Sequence, residues 1–482
     1  MMPWYVWLFI AIAAIVVALV AVVLVRTLRF RPAKEKAAEA LPETVDARRA
    51  TETLRELVRC KTVSYTDPEK EDDAEFIKLE KRLPKLFPAV FAACPFQKLG
   101  KRSLLLRWKG RDSSKARVMM AHFDVVPVEE ELWSKPAFEG IVEDGVLWGR
   151  GTLDTKGTLN GALCAAEELI KAGFVPENDV YFAFSGNEET NGDGAPTIVN
   201  YFKQNGIAIA MVCDEGGAVV ENVFPGVKQS CALIGIAEKG IMNLQLSVKG
   251  KGGHASAPPP KTAVNALSEA CVAVQKRPFP RRISKAASEL FDTLGRRSTF
   301  AYRMIFANLW LFGGLLDLIC KQSGGELNAL MRTTAAFTQM SASKGPNVIP
   351  PSASMVANLR IMSGETTKSA AEHVRAALPE GVELSVLYGM DPSAVSRTDG
   401  EEWERMRRAV SATWQGVLVS PYLMLACSDS RHYGEVCDCV YRFCAMALSK
   451  EERGMIHGND ERIPLETIAK TVEFYKRLLR TC

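Results

Sequence analysis

The amino-acid sequence predicts an α/β protein in which helices flank a mixed, mainly parallel β-sheet, with an inserted α+β domain and an N-terminal transmembrane helix. Three observations lead to this fold class. Strand-like apolar runs alternate with helical patterns from about Asp46 onward. The pattern changes at residue 232 and returns near residue 394. The chain also begins with an uncharged apolar stretch that is longer than a core helix needs.

The stretch Pro3–Val25 predicts a single membrane anchor. Its 23 residues carry no charge, and about 20 apolar residues suffice to cross the hydrocarbon core of a bilayer. A cleaved signal peptide would have a shorter apolar centre preceded by basic residues. Trp4, Tyr5 and Trp7 stand where an interfacial aromatic belt is expected. The lipid bilayer is therefore an expected partner of this helix.

Basic residues follow the anchor and predict its orientation. They are Arg26, Arg29, Arg31, Lys34 and Lys36. Positive charge beside a span favours the cytoplasmic side, so we expect the large domain in the cytoplasm. Residues 26–45 are polar and predict a tether between the anchor and the folded domain.

Composition argues against some classes of function. The chain has 482 residues, of which 60 are basic and 56 acidic. This near-balance gives no reason to expect a nucleic-acid partner. The 12 cysteines are scattered without a CxxC pair, which favours reduced, buried thiols over a disulfide framework or a thiolate metal site.

The predicted domains are a main domain in two halves, 46–231 and 394–482, and an inserted domain over 232–393. The insert contains a very apolar segment, Phe300–Lys321. This segment is interrupted by Arg303, Asn308 and Asp317. Such polar residues argue against a second membrane span. We expect a helix buried in the fold or at an interface, and a membrane-facing or acyl-chain-binding surface is the alternative.

Three strand-like apolar runs end in polar side chains. "RVMMAHFD" reaches His122, "DVYFAFSGNEE" reaches Glu188 and Glu189, and "IAMVCDEGG" reaches Asp214. Asp154 lies on a Gly-rich loop that leads into a helical pattern. In open α/β sheets ligands bind beyond the carboxyl ends of the strands, so we expect these side chains to meet along one edge. A single acid of this kind is often a solvated loop residue or a helix cap, but four in the same structural position indicate a site.

The residue types at this edge predict a pair of metal ions. Histidine and carboxylate ligands without thiolates suit zinc, and also manganese or cobalt. A single catalytic zinc needs about three protein ligands, and the chain offers four of these residues and a late histidine. Five ligands fit two metal ions that share one carboxylate. One further acid must take a proton from the attacking water, and adjacent Glu188 and Glu189 can supply both a ligand and that base.

The remaining histidines differ in their surroundings. His457, in the loop "GMIHGNDERIP", is the best late ligand. His254 lies on a Gly-rich turn of the insert, from which it can reach over a cleft and stabilise an oxyanion. The alternative interpretation is that His254 is a solvated loop residue without a catalytic role. His373 lies in a helical pattern and is interpreted as structural.

The chain from about residue 46 to its end resembles the family of dinuclear zinc peptidases that includes aminoacylases, glutamate carboxypeptidases and carboxypeptidase S. The resemblance rests on motifs that follow one another in the family's order. They are "HFDVVPV", "WSKPAFEG", "LWGRGTLDTKG", "GNEETNGDGA", "VCDEGG", "GKGGHASAPP", "NVIPPSASMVANLRI", "SDSRHYGE" and "MIHGNDERI". The long insert is most similar to the branch of carboxypeptidase S and the N-acyl-amino-acid hydrolases.

The resemblance implies roles for the residues at the strand ends. It implies two Zn²⁺ ions, with Mn²⁺ or Co²⁺ as alternatives, held by His122, Asp154, Glu189, Asp214 and His457. Asp154 matches the bridging position. Asp124 matches a residue that orients His122, and Glu188 matches the general base.

The resemblance also implies that the inserted domain is a lid that contacts the substrate. His254 matches a histidine that polarises the scissile carbonyl, and in dimeric relatives the partner subunit supplies it. Asn347 and Arg360 match lid positions that hold the substrate, and the two-pronged guanidinium of Arg360 suits a free carboxylate. Arg431 is a weaker candidate for a similar role. A homodimer formed through the lid domain is therefore also expected.

The sequence departs from the family pattern at three places. Asn187 and Thr155 stand where the family usually has acids, and Cys427-Ser428 replaces a Gly-Thr pair. None of these changes removes a predicted ligand or the base, so they bear on substrate preference and rate.

The predicted function is that of a membrane-anchored dinuclear zinc carboxypeptidase or amidohydrolase. Its substrates would be short peptides or N-acyl amino acids with a free C-terminal carboxylate. One alternative is an aminopeptidase, acting on di- or tripeptides, on the same scaffold. Another is a metal-binding relative without catalysis.

Overall fold

The computed structural model describes residues 3–32 and 42–482. The helices are α1 (Trp4–Arg29), α2 (Ala47–Val58), α3 (Asp73–Leu86), α4 (Pro88–Ala93), α5 (Lys156–Lys171), α6 (Gly194–Gln204), α7 (Ala263–Lys276), α8 (Lys285–Arg297), α9 (Phe300–Ala307), α10 (Leu309–Ser323), α11 (Gly325–Ala329), α12 (Thr367–Arg375), α13 (Glu401–Thr413), α14 (Lys450–Met455) and α15 (Leu465–Leu479). The strands are β1 (Phe96–Leu99), β2 (Ser103–Trp108), β3 (Asp112–His122), β4 (Ile141–Glu143), β5 (Val146–Trp148), β6 (Asn178–Ser185), β7 (Ile209–Val220), β8 (Cys231–Glu238), β9 (Gly240–Lys249), β10 (Gly253–His254), β11 (Thr334–Ser341), β12 (Val348–Ile349), β13 (Ser352–Ile361), β14 (Glu383–Met390), β15 (Leu418–Met424), β16 (Val440–Ala447) and β17 (Arg462–Pro464). Short 3-10 helices cover Pro68–Lys70, Glu130–Leu132 and Asp429–Glu435.

An eight-stranded sheet organises the main domain, in the order β1-β2-β6-β3-β7-β16-β8-β15. β3 is parallel to β6 and β7, β16 is parallel to β7, and β15 is parallel to β8. β1 and β2, β2 and β6, and the ends of β7 and β8 pair antiparallel. The prediction of a mixed, mainly parallel sheet is confirmed.

Helices cover both faces of this sheet because its central strands are apolar on both sides. On β3, Met119 and Ala121 belong to the large core that includes α5 and α15. The alternate residues Val118 and Met120 pack in a second core with α6. A strand buried in this way leaves only its ends for polar function.

Three neighbouring parallel strands bring their carboxyl ends to one edge. β3 lies between β6 and β7, and His122, the last residue of β3, pairs with Ser185, the last residue of β6. Glu188 and Glu189 follow β6 directly. The structure therefore places His122, Glu188 and Glu189 at the same edge of the sheet.

The inserted domain has its own sheet and core. Its antiparallel strands lie in the order β11-β13-β9-β14, and α7 and α12 pack on them around a separate core that includes Leu244, Leu359 and Val374. The insert begins later than the predicted residue 232. Because β8 pairs with β15 in the main sheet, the second sheet begins only with β9.

Residues within the predicted insert return to the main domain. Helix α8 packs against β15, and Leu290, Phe291 and Leu294 of α8 belong to the large core. The segment predicted as one apolar helix, Phe300–Lys321, is two helices, α9 and α10, with a bend of 109° between them. The range 232–393 is therefore not a single structural unit.

Helix α1 is long and apolar enough to cross a membrane. Over its 18 most apolar residues only 6% are buried in the protein, and Val23 and Thr27 are its buried residues. The helix extends to Arg29, so it includes the first residues of the predicted tether. Within that tether, residues 33–41 lie outside the described residues.

Replacing Leu359 with alanine should destabilise the inserted domain. The side chain is fully buried in the core of that domain, and leucine-to-alanine changes in cores cost about 2–5 kcal/mol. Urea denaturation, with hydrogen exchange followed in β9 and β13, measures the effect. The matched control Val386→Ala changes a side chain that is 50% exposed on β14 and should shift stability by no more than about 0.5 kcal/mol. Equal effects of the two changes would contradict the assignment of a separate lid core.

Candidate metal centre

The Asp154 carboxylate lies between two histidines at the carboxyl edge of the main sheet. Its Oδ1 is 2.9 Å from His122 Nε2, and its Oδ2 is 3.0 Å from His457 Nε2. His457 Nε2 is also 3.0 Å from Glu189 Oε2. Glu215 Oε1 is 3.5 Å from His122 Nε2. These contacts form two groups of ligand atoms, His122–Asp154–Glu215 and Asp154–Glu189–His457, and both groups contain Asp154.

The chemistry of this cluster fits divalent cations. Three carboxylates and two imidazoles offer oxygen and nitrogen atoms, which suit zinc, manganese or cobalt. Glu189 Oε1 is buried without a hydrogen-bond partner, although buried carboxylate oxygens are normally satisfied. A cation in the Asp154–Glu189–His457 group would satisfy this atom.

The raised pKa values of the two histidines indicate an excess of negative charge in this cluster. Hydrogen bonds to Asp154 and Glu189 raise the pKa of His457 to about 10. Burial by itself lowers the pKa of His122, but the charge of Glu215 and hydrogen bonds to Asp124 and Asp154 outweigh it and raise this pKa well above its usual value. The carboxylates thus stabilise the protonated, positively charged form of both histidines. The same negative charge would stabilise a bound cation.

Asp214 does not join this cluster, and Glu215 stands in the place predicted for it. Asp214 is buried, and its Oδ2 accepts a hydrogen bond from the backbone N–H of Ser430 at 3.1 Å. Among the described residues, the two ligand groups include Glu215, whose Oε1 faces His122 Nε2, and do not include Asp214. The prediction of Asp214 as a ligand is therefore corrected by the geometry.

A bulge in β7 turns Glu215 toward the cluster. Asp214 pairs with Arg442, but the next residue of β16, Phe443, pairs with Gly217. Glu215 and Gly216 are thus extra residues, and a bulge re-aims the side chain it carries. Gly216 has a φ of +139°, and a Cβ atom there would lie 2.8 Å from Arg442 Cβ. Only glycine fits this bend.

Asp124, which the resemblance implies orients His122, also contacts the loop that carries the two glutamates. Its Oδ1 lies 3.3 Å from His122 Nδ1. Its two carboxylate oxygens accept hydrogen bonds from the backbone N–H groups of Glu188 and Glu189, each at 3.2 Å. Ser64 Oγ donates a further hydrogen bond to it. Asp124 therefore fixes the His122 ring and the following loop together.

Glu461 holds the loop that carries Asp154, and sequence reasoning did not identify it. Its side chain is fully buried and accepts hydrogen bonds from the N–H groups of Gly151 at 3.0 Å and Leu153 at 2.7 Å. Arg150 Nη1 donates to Glu461 at 2.8 Å, and Arg150 Nη2 donates to the carbonyl of Gly458 at 2.7 Å. Since Gly458 follows His457, this pair positions ligands from two distant segments. The motif "MIHGNDERI" contained the residue, but nothing in its spacing indicated the partner.

The three departures from the family pattern lie in contacts that hold loops. Thr155 Oγ1 bonds to the backbone N–H and C=O of His122, each at 3.0 Å. Asn187 accepts from the N–H of Gly194 at 3.1 Å, which ties its loop to the start of α6. Ser428 Oγ donates to Glu238 at 2.9 Å. All three departures thus lie in hydrogen bonds between loops, and none of these residues belongs to the ligand groups.

Glu188 lies beside the cluster but belongs to neither ligand group. Its Oε1 is 3.7 Å from Arg431 Nη2, and burial raises its pKa well above the usual value for a carboxyl group. Arg431 is itself buried, and its Nε donates to the carbonyl of Ser428 at 2.6 Å. The structure thus leaves one carboxylate available for proton transfer, with a guanidinium next to it.

Arg360 reaches the main domain from the lid. Its Nη1 lies 3.5 Å from Cys427 Sγ, and its Nε lies 3.3 Å from the side-chain oxygen of Asn358. Asn358 in turn donates to Asn243 across the sheet at 2.8 Å. Arg360 and Arg431 therefore approach the same segment, which contains Cys427 and Ser428, from opposite domains.

His254 and Asn347 lie on a short ribbon of the lid, away from this cluster. β10 pairs with β12, and the N–H of Ala255 donates to the carbonyl of Asn347 at 3.0 Å. His254 is exposed, and its Nδ1 is 2.7 Å from Ser256 Oγ. In the described ranges, no hydrogen bond or ion pair joins His254 to the metal-ligand residues. His373, predicted to be structural, stacks on Phe279 and bonds to the carbonyl of Arg277.

An apolar cavity of about 320 Å³ is lined by residues of β7, α8 and α11 and by two sequence neighbours of the ligand groups. Gly216, which follows Glu215, and Ile456, which precedes His457, both line it. Its walls include Phe224, Leu233, Leu290, Leu294, Leu327 and Leu330. Cavities lined mainly by apolar side chains favour apolar ligands.

Comparison with known proteins agrees with the fold and the cluster. Residues 118–481 match the sequence profile of Peptidase family M20/M25/M40. The chain is 35% identical over 476 residues to N-fatty-acyl-amino acid synthase/hydrolase PM20D1 of Xenopus tropicalis, an alignment that covers 96% of this chain and 93% of that protein. It is 32% identical over 486 residues to Probable carboxypeptidase S-like 2 of Dictyostelium discoideum, covering 98% of this chain and 93% of that protein.

A solved structure shows the same fold. The M20 family metallo-carboxypeptidase Sso-CP2 from Sulfolobus solfataricus superposes with a TM-score of 0.66 at 16% sequence identity, covering 89% of this chain and 98% of that chain. The family includes a dinuclear metal binding peptidase, in accord with the two ligand groups that share Asp154. The chain therefore belongs to peptidase family M20/M25/M40 and is a hydrolase of amide bonds.

Proposed function

We propose that this hydrolase is anchored in a membrane, uses two Zn²⁺ ions, and cleaves N-acyl amino acids that have an apolar acyl chain and a free α-carboxylate. One observation carries the proposal. The Asp154 carboxylate lies between His122 and His457, while Glu188 remains outside both ligand groups. This arrangement supports a proposal of two metal positions and one base.

The proposed ligands of one ion are His122, Asp154 and Glu215, and those of the other are Asp154, Glu189 and His457. A bound pair of divalent cations polarises a carbonyl oxygen and lowers the pKa of water. Mn²⁺ or Co²⁺ would suit the same nitrogen and oxygen ligands.

Glu188 is the proposed general base. It would accept a proton from the attacking water and deliver it to the departing amine, as a positioned carboxylate can do. Its backbone is held by Asp124, and its side chain is buried beside the cluster. Arg431, at 3.7 Å, stabilises the charged form of this carboxylate.

Arg360 and Arg431 support recognition of a free carboxylate. Both guanidinium groups approach the Cys427–Ser428 segment, and a carboxylate there could bridge the lid and the main domain. Arginine donors match the geometry of a carboxylate. This is the feature that favours a carboxypeptidase-like substrate over an aminopeptidase substrate.

The apolar cavity supports an acyl chain on the other side of the scissile bond. Its walls begin at the residues next to Glu215 and His457, and burial of each CH₂ group is worth about 0.8 kcal/mol. The name of the Xenopus relative describes an N-fatty-acyl-amino acid synthase/hydrolase. A chain of this kind suits the cavity better than a polar peptide does.

His254 and Asn347 are proposed to contact the substrate only after the lid moves, or from the lid of a second copy in a homodimer. They share one ribbon, so one motion would bring both to the scissile carbonyl. An imidazole there would stabilise the developing oxyanion. Helix α1 is the proposed anchor, with the large domain on the cytoplasmic side, where Arg26, Arg29 and Arg31 follow the span.

Changing Glu188 to glutamine should abolish turnover without removing metal. General-base catalysis contributes about 10²–10⁴-fold, so kcat should fall by at least a hundredfold. Metal content, measured by mass spectrometry of the purified protein, should stay at two ions per chain. The matched control Glu189→Gln should instead lose metal, because Glu189 belongs to a ligand group. Wild-type turnover by the Glu188 variant would refute the mechanism.

The choice between Glu215 and Asp214 can be tested by metal stoichiometry. Glu215→Ala should bind about one ion fewer, because a catalytic metal needs about three protein ligands. Asp214→Asn keeps an oxygen that can accept from Ser430, so it should retain both ions. The reverse result would restore Asp214 as the ligand.

Substrate selection tests the proposed polarity and chain preference. Purified full-length protein with zinc should hydrolyse N-acyl leucine, and kcat/KM should rise with acyl length. It should cleave leucine amide at least about tenfold more slowly, since two arginines lose their charge-assisted bonds. Preference for leucine amide would favour the aminopeptidase, and metal binding without hydrolysis of any substrate would indicate a non-catalytic protein.

The variant Leu327→Trp tests whether the acyl chain of the substrate occupies the cavity. Leu327 lines the cavity and is half-buried, so the larger side chain should shorten the space available to an acyl chain. We expect a loss in kcat/KM of about tenfold for long acyl chains, which is the order of one or two lost CH₂ contacts, and little change for N-acetyl leucine. Val386→Trp, on an exposed lid position, should leave both substrates unaffected. Equal effects on both chain lengths would place the acyl chain elsewhere.

A further inference from the structure

Helix α10 is apolar on two opposite faces. Gly313, Leu316 and Cys320 are buried against the protein. On the other side, Trp310, Leu311, Leu315, Leu318 and Ile319 are exposed, Trp310 and Leu315 by 57% and 56%. A surface helix of a water-soluble protein normally carries polar residues on its outer face, and a helix that is apolar all round is normally covered. We refer to these five exposed residues as the α10 outer face.

The anchor helix packs at the bend from which α10 begins. The Asn308 amide donates to the Val23 carbonyl at 3.3 Å and lies 3.2 Å from Thr27 Oγ1. Arg26 Nε donates to the Ala307 carbonyl at 3.2 Å. Asn308, which interrupts the apolar sequence, therefore joins the α9–α10 bend to α1.

These contacts place α10 near one end of the proposed span. Val23 and Thr27 lie in the last two turns of α1, where the uncharged sequence gives way to Arg26 and Arg29. The boundary between hydrocarbon and headgroups is expected at this level. The α10 outer face is thus an exposed apolar surface beside the point where a membrane anchor leaves the bilayer.

The charges around the outer face suit a membrane interface. Lys321 and Arg303 flank the apolar residues, and basic side chains at the edge of an apolar helix face favour lipid headgroups. The acid on α10, Asp317, is paired with Lys321 at 3.0 Å and with Arg332. Phe300 and Tyr302 of α9 add exposed aromatic rings, which are common at the level of the headgroups.

We propose that the α10 outer face is a second membrane-contacting surface, embedded in the same leaflet interface from which α1 emerges. This inference rests on the proposed anchoring by α1. Together the two contacts would fix the orientation of the main domain on the bilayer, which a single helix followed by a tether would leave free.

This surface leads directly to the wall of the apolar cavity. Helix α11 follows α10 after Ser323, and Leu327 and Leu330 line the cavity together with Leu290 of α8. The cavity wall is thus close in sequence to the α10 outer face, and an acyl chain held in the bilayer is the substrate that such a placement would favour. Substrates of this class partition into membranes because each buried CH₂ group favours it by about 0.8 kcal/mol.

Photolabelling of the full chain in lipid nanodiscs tests the contact. The discs contain phosphatidylcholine with a small fraction of lipid that carries a diazirine in its acyl chain, and adducts are mapped by mass spectrometry. We expect adducts in α1 and also within residues 310–319. Exposed apolar Val386 and Leu387 of the lid, 50% and 54% exposed, are the internal control and should show none.

The outcomes separate this inference from the proposed anchoring. If α1 is labelled but residues 310–319 carry no more label than Val386 and Leu387, the second contact is overturned and the proposed anchor remains. Absence of labelling in both helices overturns both proposals. If the face is instead an interface with a second copy of the chain, residues 310–319 should be protected from lipid and joined by protein cross-links, which also overturns it.

Charge substitution gives a functional readout. Leu315→Glu with Leu318→Glu should lower labelling of residues 310–319 at least about fivefold, because charged residues are disfavoured below the headgroups. Hydrolysis of a long-chain N-acyl amino acid supplied in vesicles should fall about tenfold, whereas a water-soluble short-chain substrate should change by less than about twofold. Val386→Glu with Leu387→Glu is the matched control. An unchanged rate with vesicle-borne substrate would overturn the role of this face in substrate delivery.

Discussion

The position of the Asp154 carboxylate between His122 and His457 is the constraint on which the rest of the site depends. Its two oxygens lie 2.9 Å and 3.0 Å from the two ring nitrogens. A single carboxylate can join two cation positions only if its loop is held firmly, because a shift of about 1 Å is enough to misplace catalytic groups. Much of the surrounding structure consists of hydrogen bonds that hold this loop and its neighbours.

Two buried carboxylates that do not belong to the ligand groups provide this support. Glu461 fixes the Asp154 loop through backbone N–H groups and pairs with Arg150. Asp124 fixes the glutamate loop and the His122 ring. Satisfied networks of this kind are rigid in a low-dielectric interior, and partners of metal-binding residues of this type set ligand orientation. The position of the ligand residues therefore depends on side chains outside the ligand groups.

The surroundings of the cluster are chemically asymmetric. Arg360 of the lid and Arg431 of the main domain both approach the Cys427–Ser428 segment of the main domain, and residues of α8 and α11 wall an apolar cavity. The proposed substrate, with a carboxylate at one end and an apolar chain at the other, would use both features. Helices α8 and α11, which contribute walls of the cavity, are joined in the chain through α9 and α10, and α9 packs against α1.

The sequence by itself determined the sheet, its strand ends, and His122, Asp154, Glu189 and His457, which the structure brings together. Apolar runs that end in polar residues identify parallel strands, and the carboxyl ends of such strands must share an edge. The placement of Glu215 rather than Asp214 was decided only by the tertiary structure, because a bulge shifts which residue of β7 faces the cluster. The role of Glu461 and the return of α8 to the main sheet also depend on contacts between segments far apart in the chain. Sequence periodicity describes local backbone geometry, and it contains no information about such pairings.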